Sequence, residues 1–125
     1  MEVTKEEFTV FYALIKKFIN AVDTKDSDIL KYKFNIIEDN VDYLYETLYN
    51  YYDQKTKIDI LPFEEAYNDA VEEQRYCDIF KFNDEECWGV DFNILANGKI
   101  DEPKFHFKIC KKNEQYILEF LYIDS

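Results

Sequence analysis

His106 is the only histidine in this chain of 125 residues, and it falls between Lys104 and Lys108 on what reads as the polar side of a strand. Two neighbouring cations disfavour its protonated form. With no second histidine, no Ser/His/Asp or Cys/His arrangement can be assembled. Cys77, Cys87 and Cys110 are odd in number and contain no CxxC pair, so the expectation is reduced thiols in a cytoplasmic protein. Cys87, beside Trp88, has no basic neighbour to lower its pKa and reads as a buried, inert thiol. Carboxylates come in adjacent pairs, Glu64-Glu65, Glu72-Glu73, Glu85-Glu86 and Asp101-Glu102. Acid–base chemistry needs two carboxyls in one apolar pocket with separated pKa values. Adjacent residues on a helix or turn point apart and titrate in water. Asp91 and Asn93 differ, because they lie opposite the Trp88, Val90 and Phe92 face of one strand. One of those two faces is expected to line a concavity, which makes Asp91 a binding candidate.

Other chemistries lack their residues. Asp23, Asp26 and Asp28 do not follow the spacing of a calcium loop, and no glycine follows for its sharp turn. Gly89 and Gly98 are the only glycines and stand too far apart for a phosphate loop or a dinucleotide fingerprint. The reading is therefore a non-enzyme with no catalytic residue, no metal site and no cofactor.

Charge is the stronger signal. The chain holds 27 acidic and 15 basic residues, a formal charge of -12. Such a surface repels nucleic acid and anionic membranes and steers basic partners toward itself. Lys108, Lys111 and Lys112 form the one basic cluster, and nucleic-acid binding would need a stripe. No apolar run approaches the roughly 18 residues of a membrane span, and the polar start from Met1 to Glu7 does not read as a signal peptide.

Several elements can position these residues. Thr4 and Glu7 form a capping box, followed by Phe8, Phe11, Tyr12, Ile15, Phe18, Ile19 and Val22 at helical spacing. Residues 29–37 fit a strand through Leu30, Tyr32, Phe34 and Ile36, or a helix through Ile29, Tyr32, Lys33, Ile36 and Ile37 with a charged interruption. Helix is preferred. Asn40 is expected to cap a second helix with Val41, Leu44, Tyr45, Leu48, Tyr49 and Tyr52 on one stripe. A short strand over Lys57 to Leu61 precedes a helix opened by Pro62, with Phe63, Ala66, Tyr67 and Ala70 inward. From Arg75 the period becomes two. Strands are separated by turns at Asn83 to Glu86, at Asn97-Gly98 and at Lys111 to Glu114, and Asn97-Gly98 is the strongest hairpin signal. The last strand is apolar on both faces, Tyr116, Leu118, Phe120 and Tyr122 against Ile117, Leu121 and Ile123, which predicts a central position. The whole chain reads as one α+β domain, with N-terminal helices packed on a curved antiparallel meander.

The element order, with the stretches Cys87 to Leu95, Phe105 to Ile109 and Tyr116 to Asp124, resembles the NTF2-like superfamily. The resemblance implies a cone-shaped sheet able to hold a small ligand or an active site. Trp88, Asp91, Tyr116 and Phe120 would then lie near its pocket. In style, a small acidic α+β domain without motifs also resembles immunity proteins of bacterial polymorphic toxin systems. That resemblance implies an antitoxin that covers a cationic toxin domain, plausibly a nuclease, by charge complementarity.

Tyr43 and Tyr51 fall outside the helical stripe and are left for the surface, where tyrosine favours interfaces. With Glu64, Glu65, Asp69, Glu72 and Glu73 they are the expected contacts to a basic protein partner. A small-ligand binder or enzyme in an NTF2-like cone is the alternative expectation, and a homodimer through an exposed sheet face is another.

Overall fold

Thr4 opens the first helix as its sequence predicts. Its Oγ1 accepts from the Glu7 amide at 3.1 Å, and Glu7 Oε1 accepts from the Thr4 amide at 3.0 Å. In the computed structural model, which describes residues 3–83 and 86–125, this helix, α1, runs Lys5–Thr24. It buries Phe8, Phe11, Ile15, Phe18, Ile19 and Val22 of the stripe read from the sequence, and Tyr12 of that stripe is half-buried. Lys25 ends it in the left-handed region at φ 58°. Among the described residues, no helix is long and apolar enough to cross a membrane.

The ambiguous stretch is helical only in part. Asp26 accepts from the Ile29 amide at 3.2 Å, and Ile29–Lys33 forms a single π-helical turn. Asn35 then takes φ 55°, so residues 34–37 leave the helix as an irregular crossing segment. The second helix, α2, runs Glu38–Tyr51, starting two residues before Asn40. Asn40 is therefore not its cap. Ile37 occupies the cap position without a side-chain hydrogen bond, and Glu38 and Asp39 in the first turn face the positive helix end instead.

The strand expected over Lys57 to Leu61 shrinks to β1, Ile58–Asp59, held by the Asp23 carboxylate on the Ile58 amide at 2.8 Å. Helix α3 follows as Phe63–Val71, with Pro62 just before it and Ala66 and Ala70 buried. The sheet is completed by β2 (Cys77–Lys81), β3 (Cys87–Ala96), β4 (Lys99–Lys112) and β5 (Gln115–Asp124). Every pairing is antiparallel. The sheet curls into a half-barrel, with β1 and β2 sharing one edge of β3 and the order continuing through β4 to β5. The first of the meander turns includes Asp84 and Glu85, which lie outside the described residues, as do Met1 and Glu2 at the chain start. Asn97 and Gly98 turn β3 into β4 at φ 51° and 81°, and Asn113 and Glu114 turn β4 into β5 at 51° and 64°.

The position of β5 corrects the sequence reading. This strand is the edge of the sheet, not its centre. Its inner face joins the core through Leu118, Phe120 and Ile123, while Ile117, Leu121 and Tyr122 stay exposed at 46%, 41% and 47%. Two apolar faces therefore mean one buried face and one left exposed at the sheet edge.

The concave face of the sheet is filled by α1. Phe11 meets Trp88 and Tyr116 with ring centroids 5.3 and 5.2 Å apart, and Phe18 meets Phe107 and Phe120 at 5.3 and 5.2 Å. Burying each such side chain contributes about 1.5–3 kcal/mol. On the opposite face, the Phe80 ring lies across Gly89 where a side chain would have stood.

The expectation of three reduced thiols is also corrected. Cys87 and Cys110 form a disulfide between β3 and β4, with Cα atoms 4.1 Å apart. A plain hairpin about Asn97-Gly98 would set Cys87 opposite Lys108. An irregularity between Asn93 and Leu95 slips the register by two residues and brings Cys110 there instead. Cys77 is the free thiol; it is buried, and burial pushes its thiol far above the usual range. The inert thiol of this chain is therefore Cys77 rather than Cys87.

Candidate interaction surface

Residues 34–37 cross beside the edge strand and leave a groove between themselves and β5. Phe34 anchors the crossing in the core by packing edge-on against Phe18, 5.4 Å between centroids. Beyond it, Ile36, Asn40 and Tyr43 face Leu121 and Tyr122 across a cavity of 580 Å³. A second cavity of 360 Å³ continues along the strand past Ile117, and both are lined by Phe34, Asn35 and Glu119. Tyr43 is 63% exposed at this groove, Ile37 is 64% exposed on the crossing segment, and Tyr32 is 78% exposed on the π-helical turn before it.

The groove lining carries charge of both signs: Glu119 lines both cavities, and Lys108 and Lys112 line the smaller one. From Phe34 to Glu46 the chain holds Glu38, Asp39, Asp42 and Glu46 and no basic residue, and β5 holds Glu119 and Asp124 and none. Nearby cations are engaged in part: Lys31 pairs with Glu38 at 3.2 Å, and Lys108 lies 5.2 Å over the Phe82 ring.

The other expected contacts stand elsewhere. Tyr51 is exposed and its hydroxyl lies 3.4 Å from Ser125 Oγ. Glu64, Glu65, Glu72 and Glu73 are exposed on and just after α3, which packs on β2 and α1, while α2 packs on the π-helical turn and β5. Asp69 is committed to the fold. Its Oδ1 accepts from the Tyr76 and Cys77 amides, both at 2.8 Å, and so fixes the start of β2.

Of the four expected pocket residues, Trp88 and Tyr116 meet with ring centroids 6.1 Å apart, whereas Asp91 stands apart from them. Trp88, Tyr116 and Phe120 belong to the inner face and pack on α1, so aromatic rings occupy the volume a ligand would need. Asp91 faces the other side of the sheet. Its neighbour on that face, Asn93, lines a shallow concavity of 390 Å³ with Arg75 and Lys104, and its amide donates to the Asp101 carbonyl at 2.8 Å.

His106 has different neighbours from those its sequence suggests. Its Nδ1 lies 2.8 Å from Asp91 Oδ1 and its Nε2 lies 2.6 Å from Asp124 Oδ1, while its ring stacks on Tyr122 at 4.4 Å. Carboxylates only accept, so both contacts are hydrogen bonds at once when the ring carries both protons. The strand register and the β4–β5 bulge at Leu121, rather than Lys104 and Lys108, decide what the imidazole meets. With both nitrogens taken by carboxylates, neither is placed to draw a proton from a nucleophile. Asp78 extends the row opposite Asp91. Burial first, and the Asp91 charge second, hold its carboxyl above the usual range, with Lys104 pulling the other way. Among the described residues, no group of His, Cys, Asp and Glu side chains could hold a metal ion.

No family model, curated protein or solved structure matches this chain.

Proposed function

We propose that this chain is a protein-binding module that captures a basic protein, in the manner of an immunity protein covering a cationic toxin domain such as a nuclease. The observation that carries the reading is a cluster of exposed aromatic and apolar side chains, Tyr43, Leu121 and Tyr122, at the groove beside β5 in a chain of strong net negative charge. Tyrosine anchors inside a charged rim are how protein interfaces divide affinity from steering. The overall charge of -12 extends the same field over the molecule, with the α3 acids as a second negative face.

A compact NTF2-like cone is the architecture we favour, supported by the N-terminal helix laid across a curled meander. A small-ligand site inside it ranks second, because Phe11 and Phe18 fill the concave face.

The test is recovery of partners from native cells at low salt, followed by assay of the recovered partner's own activity with and without this chain. A basic partner that is released by salt and inhibited at equal stoichiometry supports neutralisation. A partner that is acidic, or that keeps full activity when bound, contradicts it.

A further inference from the structure

We infer that the Cys87–Cys110 disulfide is a site of thiol exchange, at which a small thiol bearing carboxylates enters the cavity beside Cys110 and forms a mixed disulfide with it. The inference goes beyond the reading above and stands independently of any protein partner.

Displacement at a disulfide sulfur needs the incoming thiolate in line with the bond that breaks, on the side away from the leaving sulfur. Strand order decides which sulfur offers that side. Cys110 has Cys87 opposite it on β3 and Ile117 opposite it on β5. The side of Cys110 away from Cys87 therefore faces β5, and there the 360 Å³ cavity is lined by both Cys110 and Ile117. Cys110 is partly exposed. Cys87 is 7% exposed and does not line the cavity. On its far side lies Phe82, whose amide donates to the Cys87 carbonyl at 3.0 Å. Cys77 is wholly buried and takes no part. Attack is thus directed to Cys110, with Cys87 as the leaving sulfur.

Local charge suits an anionic reagent. Lys108 and Lys112 stand two residues to either side of Cys110 on β4 and line the same cavity, with Glu119 as the acid among the lining residues. The chain as a whole, at -12, repels anions. In the exchange step the reagent's sulfur bonds to Cys110 Sγ and the bond between the two Sγ atoms breaks. Its electron pair leaves on Cys87 Sγ, which takes a proton from water. The thiolate is the whole of the co-reactant. Cys87 then restores the bridge by the reverse attack, or a second thiolate removes the first as a small disulfide and leaves Cys110 as a thiol.

The probe is reduced glutathione, offered to the native chain at mildly alkaline pH and quenched with N-ethylmaleimide in mild acid over a time course. Mass mapping is expected to place glutathione on Cys110 and maleimide on Cys87 in the earliest adduct. Because Cys87 recloses the bridge, the open form is also read separately: glutathione disulfide is offered to Cys87→Ser and to Cys110→Ser, each shown to be folded by amide exchange. Cys110 is expected to be modified roughly tenfold faster than Cys87, a difference that denaturant removes. Lys108→Gln/Lys112→Gln is expected to slow glutathione about threefold at low salt and to leave cysteamine, a cationic thiol, no slower. Four results overturn the site: a first adduct on Cys87, equal or reversed rates in the two single variants, a preference for Cys110 that persists in denaturant, or exchange of the native chain only at the rate of global unfolding. A glutathione rate unchanged in the lysine double variant overturns the choice of a carboxylate-bearing thiol.

Discussion

His106 and Asp124 meet across the bulge that separates the two halves of the β4–β5 pairing, Nε2 to Oδ1 at 2.6 Å. The contact ties the end of the edge strand to β4, and the Asp91 contact carries the tie on to β3. Replacing the ring leaves two carboxylates facing each other with no donor between them. His106→Ala is therefore expected to lower unfolding free energy by about 1–2 kcal/mol and to speed amide exchange near Ile123 and Asp124. An unchanged denaturation midpoint with unchanged exchange would show that the row contributes nothing.

Asp78 predicts a pH effect of definite sign. Burial, then the Asp91 charge, raise its carboxyl above the unfolded value. The folded chain holds that proton more tightly, so this group's contribution to stability falls as pH rises through its titration. Asp78→Asn removes the penalty and should be the more stable protein at neutral pH, by less than about 1 kcal/mol because the site is partly solvated. The advantage should close in acid, which denaturant midpoints at the two conditions will read. Asp23 has the opposite sign. Burial alone would raise it, but the Lys57 hydrogen bond, the Ile58 amide and the charges of Lys57 and Lys16 outweigh burial and lower it. Its stabilisation is present above the unfolded value and lost as pH falls through the folded one, and Asp23→Asn should flatten that part of the acid limb.

The Cys87–Cys110 disulfide closes a loop with a sequence separation of 23 residues. On the chain-entropy model such a closure is worth about 3 kcal/mol. Reductant should lower the midpoint of the native chain and leave a Cys87→Ser/Cys110→Ser double variant unmoved. Thiol titration of the unreduced, denatured chain should find one group, Cys77. Finding all three cysteines free would contradict the pairing.

Asp69 separates structure from interface. Asp69→Ala strips two backbone amides of their acceptor and is expected to destabilise the fold by about 2–3 kcal/mol. Glu72→Gln, on an exposed neighbour, should leave stability within about 0.5 kcal/mol and act only on partner affinity. Equal stability of the two variants would contradict the capping role.

Much of this molecule was legible because local rules and tertiary packing agree. The Thr4–Glu7 box, the Phe8 to Val22 stripe and the Asn97-Gly98 turn each state their geometry within a few residues. What escaped was set by events the sequence does not mark. The slip between Asn93 and Leu95 decides which residue Cys87 meets, and the bulge at Leu121 places Tyr122 and Asp124 on either side of His106. Asn35 in a left-handed conformation ends the π-helical turn and opens the groove. The apolar outer face of β5 was visible, but a central strand and an uncovered edge give the same pattern, and only the strand order separates them. Tyr43 was singled out from its place off the helical stripe; its neighbours Leu121 and Tyr122 lie far away in sequence and could not be joined to it.

The most direct test of the central claim is the affinity of the recovered basic partner measured across a salt series, for the native chain beside Tyr43→Ala and Glu64→Gln/Glu65→Gln. The account predicts affinity that falls steadily with salt, about a tenfold loss for Tyr43→Ala at every salt concentration, and a shallower salt dependence for the double acid variant with little loss at high salt. Affinity indifferent to salt, or to Tyr43, would contradict capture of a basic protein by an acidic surface anchored at Tyr43.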